Sequence, residues 1–350
     1  MKVIDLFSGV GGLSLGFHLA GFESTIAVEF NSKIATGYKE NFPHTRLINK
    51  DINDVNLEEL LSPLNGSEYV LIGGPPCQGF SQKGKRQGLL DERNFMFLKF
   101  IEAATYLKPR ALLIENVPGI LTSENGYFLS DIESNLVSLG YKVSHKILDA
   151  SDYGVPQTRK RAFIVGILNH HDSFTWPIAH DKKVTVHEAI SDLPSLKAGE
   201  GQDKILYTSC AQSPYQIKMR EGSEFIFNHK ATKHSDLVLE RLKLIPEDGG
   251  RNDLPSEHLT KSNFSGTWCR LPKNGTARTI TTRFDTPSSG MFTLPTQDRC
   301  LTVREAARIQ SFPDSFKFTG NKTTQMLQVG NAVPPLLSFS IANNLKKLFV

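Results

Sequence analysis

Val3-Ile4-Asp5-Leu6-Phe7-Ser8-Gly9-Val10-Gly11-Gly12 decides the fold, because a short apolar strand runs straight into a glycine loop. Leu13, Phe17 and Ala20 then fall at helical spacing before Gly21, a suitable left-handed stop. Glycines let the backbone turn tightly and approach a ligand closely. Four more strand-like runs, Ser24–Val28, Arg46–Asn49, Val70–Ile72 and Ala111–Ile114, alternate with helix-like stretches, one of them capped by Ser32. This alternation predicts an α/β protein with a doubly wound, mostly parallel sheet.

Near Tyr141 the pattern changes to two longer strand candidates, Tyr141–Leu148 and Arg161–Leu168, expected to form an antiparallel hairpin at the sheet edge. From Trp176 to Arg299 the order weakens. Turn residues dominate there, with short β-like runs such as Ala277–Arg283 and one clear helical pattern, Asp236–Leu244, so this stretch reads as a separate, smaller domain. Thr302-Val303-Arg304-Glu305 has the spacing of a capping box and predicts a helix through Gln310, ended by Pro313; Leu336–Phe349 predicts a terminal helix.

A chain of 350 residues with 39% hydrophobic content can bury a large core. Met1–Asp5 enters the first strand without an apolar leader, and no apolar run approaches the roughly 18 residues of a membrane span, so a cytoplasmic protein without a membrane partner is expected. The four cysteines, Cys77, Cys210, Cys269 and Cys300, form no CxxC pair, which argues against structural zinc and a disulfide framework. A net charge of +4 is compatible with a polyanionic partner.

The chemistry concentrates at strand ends. Gly73-Gly74-Pro75-Pro76-Cys77-Gln78 follows the run Tyr69–Ile72, which places the Cys77 thiol on a stiff turn where open α/β sheets bind ligands, a position suited to a nucleophile. Glu29 ends the second strand 20 residues after Gly9 and could accept hydrogen bonds from ribose hydroxyls; Asp51 follows the third. Glu115, after Ala111–Ile114, should open into the crevice of Cys77 and hold or donate a proton. In Gln157-Thr158-Arg159-Lys160-Arg161 the period of two places Arg159 and Arg161 on one face, where guanidinium groups suit carbonyl or phosphate oxygens. The basic segment Gln82–Gly88, with two glycines, looks like a closing loop. His229, Lys230, Lys233, His234, Lys261, Trp268, Arg270, Lys273, Arg278 and Arg283 are donors available in the smaller domain for phosphates and base edges.

The ordered set Phe7–Gly12, Glu29, Asp51, Pro76-Cys77-Gln78, Glu115-Asn116-Val117, Gln157–Arg161, Arg304–Pro313 and Gly330–Pro334 resembles the DNA (cytosine-5) methyltransferases of bacterial restriction-modification systems. The resemblance covers almost the whole chain. It implies a Rossmann-like fold binding S-adenosylmethionine, with a catalytic and cofactor-binding domain at 1–175 plus 325–350 and a target-recognition domain at 176–324. By the same resemblance Cys77, Glu115, Arg159 and Arg161 are catalytic. Phe7, Gly9, Gly11, Glu29, Phe30, Asp51, Ile52, Pro76 and Asn331 hold the cofactor. Double-stranded DNA is the implied partner, with a restriction endonuclease of the same specificity as genetic companion, and a monomer is expected. Asn94 stands where the family usually has glycine, and Met96 where leucine is common.

The implied reaction adds the Cys77 thiolate to C6 of a flipped-out cytosine while Glu115 holds or protonates N3, so that C5 can take a methyl group. Two other classes compete. A nicotinamide dehydrogenase would share the glycine loop but leave Pro-Pro-Cys-Gln unexplained; a non-catalytic DNA-binding protein of the same fold would not need Cys77, Glu115, Arg159 and Arg161 together.

Overall fold

Strands buried on both faces read as unbroken apolar runs, and those at the centre of this protein have that character. A computed structural model describes residues 1–76, 96–260 and 266–349. Cys77, Gln78, the Gln82–Gly88 segment, Asn94 and Lys261 lie outside the described residues. Contacts divide the chain into two units, Met1–Asp149 with Lys160–Ala179 and Pro335–Val350, and Ala150–Arg159 with His180–Pro334. Residues 150–159 and 325–334, grouped by sequence with the catalytic part, thus fall in the second unit, and 176–179 in the first.

The first unit carries β1 (Lys2–Leu6), β2 (Glu23–Val28), β3 (Arg46–Ile48), β4 (Tyr69–Gly73), β5 (Ala111–Asn116) and β6 (Tyr141–Asp149). After the two-residue β7 (Gln157–Thr158) of the second unit, β8 (Lys160–Leu168) returns to this sheet. The strand order is β3-β2-β1-β4-β5-β8-β6. β1 to β5 pair in parallel, whereas β8 is antiparallel to both β5 and β6. The predicted hairpin therefore forms with its second strand innermost. β8 is apolar throughout its buried length and takes the inner place beside β5, leaving the polar-rich β6 at the edge.

The helices of this unit are α1 (Gly12–Leu19), α2 (Ser32–Asn41), α3 (Leu57–Leu61), α4 (Met96–Leu107), α5 (Tyr127–Ser138) and the C-terminal helix Pro335–Lys346. Leu57 and Leu61, Phe97, Phe100 and Ile101, and Ile132 and Leu136 from α3 to α5 share one core with Ile4, Leu6, Leu71, Leu112 and Ile114. α1 lies directly on the C-terminal helix: a Cβ at Gly16 would stand 2.3 Å from Ser338 Cβ, and the Ser338 hydroxyl donates to the Leu13 carbonyl at 2.9 Å. The cap of α2 is Asn31 rather than Ser32; its side-chain oxygen accepts from the Lys33 N–H at 3.1 Å, one residue earlier than the sequence suggests.

In the second unit, α6 (Val186–Ile190), α7 (Pro214–Arg220), α8 (Asp236–Leu244), α9 (Val303–Ile309) and α10 (Lys322–Asn331) surround two small sheets, the antiparallel pair β9 (Gly201–Leu206) and β10 (Phe225–Lys230), and β11 (Ala277–Arg278) parallel to β7. α9 begins with the expected Thr302–Glu305 capping box. With little regular ladder, carbonyls inside the unit need other donors, and buried arginines supply them. Arg304 donates to the carbonyls of Phe227, Pro313 and Phe316, and Arg270 to those of Leu242, Ile245 and Leu294. Arg299 grips Glu305 with two parallel bonds of 2.8 Å, and although burial opposes ionisation, this guanidinium holds the Glu305 carboxyl down at about 2. Among the described residues no helix is long and apolar enough to cross a membrane.

Candidate active site

Because β3, β2, β1, β4 and β5 run parallel and side by side, the residues that follow each strand line one edge of the sheet. Asp51, Glu29, Phe7, Pro76 and Glu115 therefore succeed one another along it. Phe7 leaves β1 with φ 61°, a costly conformation for an aromatic residue that is kept where surrounding structure enforces it. Gly11 caps α1 at φ 98°, and a side chain there would meet the Phe42 ring at 2.5 Å, so only glycine fits. At Gly9 a Cβ would find open space within 4 Å.

Glu29 ties this loop to the end of β2. Its two carboxylate oxygens accept the N–H groups of Gly9 at 3.0 Å and Asn31 at 2.8 Å. Burial raises the affinity of Glu29 for a proton, and those two N–H groups work against it. The neighbouring Phe30 ring is 70% exposed, unusual for so large an apolar surface at a strand end. Asp51 is exposed and caps the turn Ile52–Asp54 through the Asn53 N–H at 2.9 Å, while Ile52 is buried beneath it.

Sequence reasoning missed two polar groups at this edge. Asp5, fully buried on β1, accepts from the Ser14 hydroxyl at 2.6 Å through one oxygen, and its other oxygen has no partner. The Ser8 hydroxyl, also buried, has none either. Burial pushes the Asp5 carboxyl up to about 7; the Ser14 bond opposes this, and the charge of Glu29 adds to it. The signal was a carboxylate inside an otherwise apolar strand, Val3-Ile4-Asp5-Leu6.

Glu115 and Arg161 meet at the far end of the edge. Glu115 lies opposite Phe163 in the β5–β8 ladder, so Arg161, two residues away, shares its face. Arg161 Nε stands 2.9 Å from Glu115 Oε1, with both side chains largely buried. The adjoining Asn116 donates to the Pro75 carbonyl at 3.0 Å and thereby ties the turn leading to Cys77 onto β5. A Cβ at Gly74 would stand 3.0 Å from Glu115 Oε2, so this glycine keeps the approach to the carboxylate clear.

Arg159 does not share the face of Arg161. The strand stops between Thr158 and Lys160, and Arg159, buried in the second unit, donates to the carbonyls of Ile280 and Gly330 at 2.9 Å each. Gln157 beside it bonds to the Ile309 carbonyl and the Ile280 N–H. Asn331 also belongs to the second unit, exposed at the end of α10.

Of the donors expected in the smaller domain, His229, His234, Trp268 and Arg270 are buried and hold the unit together. His229, for instance, bridges Thr302 and the Pro194 carbonyl. Lys273 and Arg283 face Glu247 and Asp285.

A family model described as C-5 cytosine-specific DNA methylase matches residues 1–347. The type II methyltransferase M1.HphI of Haemophilus parahaemolyticus is 36% identical over 99% of this chain and 87% of its own length. M.DdeI of Desulfomicrobium norvegicum is 35% identical over 100% and 89%. Among solved structures, a prophage-encoded E. coli protein classed with the DNA modification methyltransferases superposes with a TM-score of 0.81 at 28% identity, covering 100% of this chain and 99% of that one.

Proposed function

The chain belongs to the C-5 cytosine-specific DNA methylase family and is a DNA (cytosine-5)-methyltransferase; from that premise we propose that it methylates C5 of a flipped-out cytosine in a short specific duplex sequence, through a covalent bond from Cys77 to C6. The observation that carries this reading is the Glu115–Arg161 pair beside the Gly74–Pro75 turn that Asn116 fixes, because it sets a carboxyl group and a cation at the turn after which Cys77 follows in the sequence.

Cytosine C5 is a poor nucleophile, and thiolate addition at C6 makes it an enamine carbon. Cys77 supplies the thiolate, an assignment that rests on its place after Pro76. Glu115 holds or protonates N3 as the bond to C6 forms, and Arg161 orients that carboxyl and offers its remaining N–H groups to the cytosine O2. Loss of the C5 proton then expels Cys77 by β-elimination. Arg159, spent on the carbonyls of Ile280 and Gly330, acts by positioning rather than by touching the base.

S-adenosylmethionine, when bound, supplies an electrophilic methyl group. The first unit's edge fits such a ligand: Asp5 and Ser8 offer unpartnered buried oxygens, Gly9 borders open space, and Phe30 presents a bare ring for the adenine. Phe7, Glu29, Asp51 and Ile52 would hold the nucleoside, and Gly11 and Pro76 shape the loops. The smaller domain, residues 176–324, reads the target, a monomer acts on duplex DNA in the cytoplasm, and an endonuclease of matching specificity completes a restriction-modification pair.

Bisulfite sequencing of DNA from cells expressing the protein reports both activity and target. A duplex carrying 5-fluorocytosine at that target should trap the wild type covalently, and Cys77→Ala should neither methylate nor be trapped. Trapping that persists in Cys77→Ala removes the nucleophile assignment.

A further inference from the structure

A cleft of about 650 Å³ opens within the second unit between β10, the loop after it and the start of α10. Its lining includes the apolar Ala231, Val303 and Phe318 and brings together Lys230, Lys233 and Lys322. Among the described residues none of these three lysines takes part in an ion pair, and Asp203 is the one carboxylate among the lining residues. Lys322 is drawn in toward the Lys230 carbonyl and the Thr232 hydroxyl. Burial lowers its hold on the proton, with Asp285 opposing and Arg299 and Lys230 reinforcing that loss. Asn321 is already spent on capping α10 through the Thr324 N–H, so the cations and not the helix end define the cleft.

Three ammonium groups line one concavity, outnumbering the Asp203 carboxylate in its lining and the Asp285 charge that acts on Lys322, so they repel one another and low-dielectric walls focus their field outward. An anion in the cleft relieves that repulsion. We propose that this cleft is a phosphodiester-binding site, in which Lys230, Lys233 and Lys322 grip the DNA backbone independently of base sequence. The inference rests on the DNA-methylating function above and adds to it the place where this unit holds the strand. Lysines, as mobile point charges, suit a backbone contact that carries no sequence information, whereas base reading favours planar, bidentate groups. The volume is that of a nucleotide-sized ligand rather than of a bare ion.

The test uses the full chain with Lys230→Gln and Lys233→Gln, singly and together, and Lys230→Arg with Lys233→Arg as the charge-preserving control. Both positions are exposed, so the fold is not at stake, and S-adenosylmethionine affinity of each preparation checks it. Duplex affinity is followed by anisotropy from 50 to 200 mM salt on target-bearing and unrelated DNA. Each lost contact should make the slope of log K against log salt shallower by about 0.9, so the double variant's deficit at 50 mM should be about 12 times that at 200 mM. The loss should be equal on both duplexes and absent in the arginine control. An unchanged slope in the double variant overturns the proposal. So does an unchanged slope accompanied by lysine-dependent thermal stabilisation by inorganic phosphate, which assigns the cleft to a small anion. A wild type that binds S-adenosylmethionine but no duplex overturns the parent reading along with it.

Discussion

Asp5→Asn isolates a carboxyl group that, alone among the described residues, is fully buried with one oxygen unpartnered. Its proton is retained up to about pH 7, against an ordinary value of 3.8, a difference of about 3 units. At roughly 1.4 kcal/mol per unit, ionised Asp5 costs the folded state about 4 kcal/mol. The sign follows from proton counting. Between about pH 4 and 7 the folded protein keeps a proton that the unfolded chain has released, so this contribution to stability is intact below pH 4 and is lost as pH rises through 7. Asparagine removes the titration. Its amide puts a donor where the unpartnered oxygen was, at a pH-independent cost of roughly 1 to 3 kcal/mol. Urea unfolding of both proteins from pH 4.5 to 8 should therefore show the variant gaining on the wild type steadily with pH, whichever is more stable at the acidic end. Glu29→Gln removes a negative charge that helps hold the Asp5 carboxyl up, so the upper end of the pH-dependent window should move to lower pH, toward the ordinary carboxyl range. Wild-type and Asp5→Asn curves that run parallel across this window would refute the reasoning.

Glu115→Gln should lower turnover by about 100-fold or more while cofactor affinity, measured calorimetrically, stays unchanged; near-normal turnover would reduce Glu115 to an anchor for Arg161. Glu305→Gln leaves Arg299 buried without its carboxylate and should cost about 3 kcal/mol at pH 7, read from denaturant midpoints. Because the Glu305 carboxyl is depressed, that stabilisation is complete above about pH 4.5 and is lost as pH falls toward 2, so the deficit of the variant should shrink on acidification. Exchange of residues 176–299 with those of a relative of different specificity should move the methylated site; a folded, active chimera that keeps its original target would place recognition elsewhere.

The sheet was legible because each parallel strand is a short, mostly apolar run, and the parallel order alone brings Glu29, Asp51 and Glu115 to one edge. Periodicity could not tell that β8 would enter between β5 and β6, since both candidates for the hairpin are strand-like and only burial ranks them. The same period of two that joins Arg161 to Glu115 through the ladder fails for Arg159, where the strand is interrupted and a partner 171 residues away in sequence takes the guanidinium. Such contacts leave no local pattern. α6 and α7 are too short for periodicity to reveal, although Thr185 and Glu188 form a capping box that the sequence does display.

The chain crosses between its two units at residues 149–150, 159–160, 179–180 and 334–335. That threading has a consequence for biosynthesis. Once Ala179 has been made, the first unit still lacks the helix Pro335–Lys346, and roughly 150 residues must be added before its first turn exists. At about 5 to 20 residues per second this is a wait of roughly 8 to 30 s. Throughout it the surface of α1 around Leu13 and Gly16 is bare, a ready foothold for a chaperone or for a second nascent chain. The seam at Gly16, closed last, makes completion of the sheet domain depend on completion of everything threaded between.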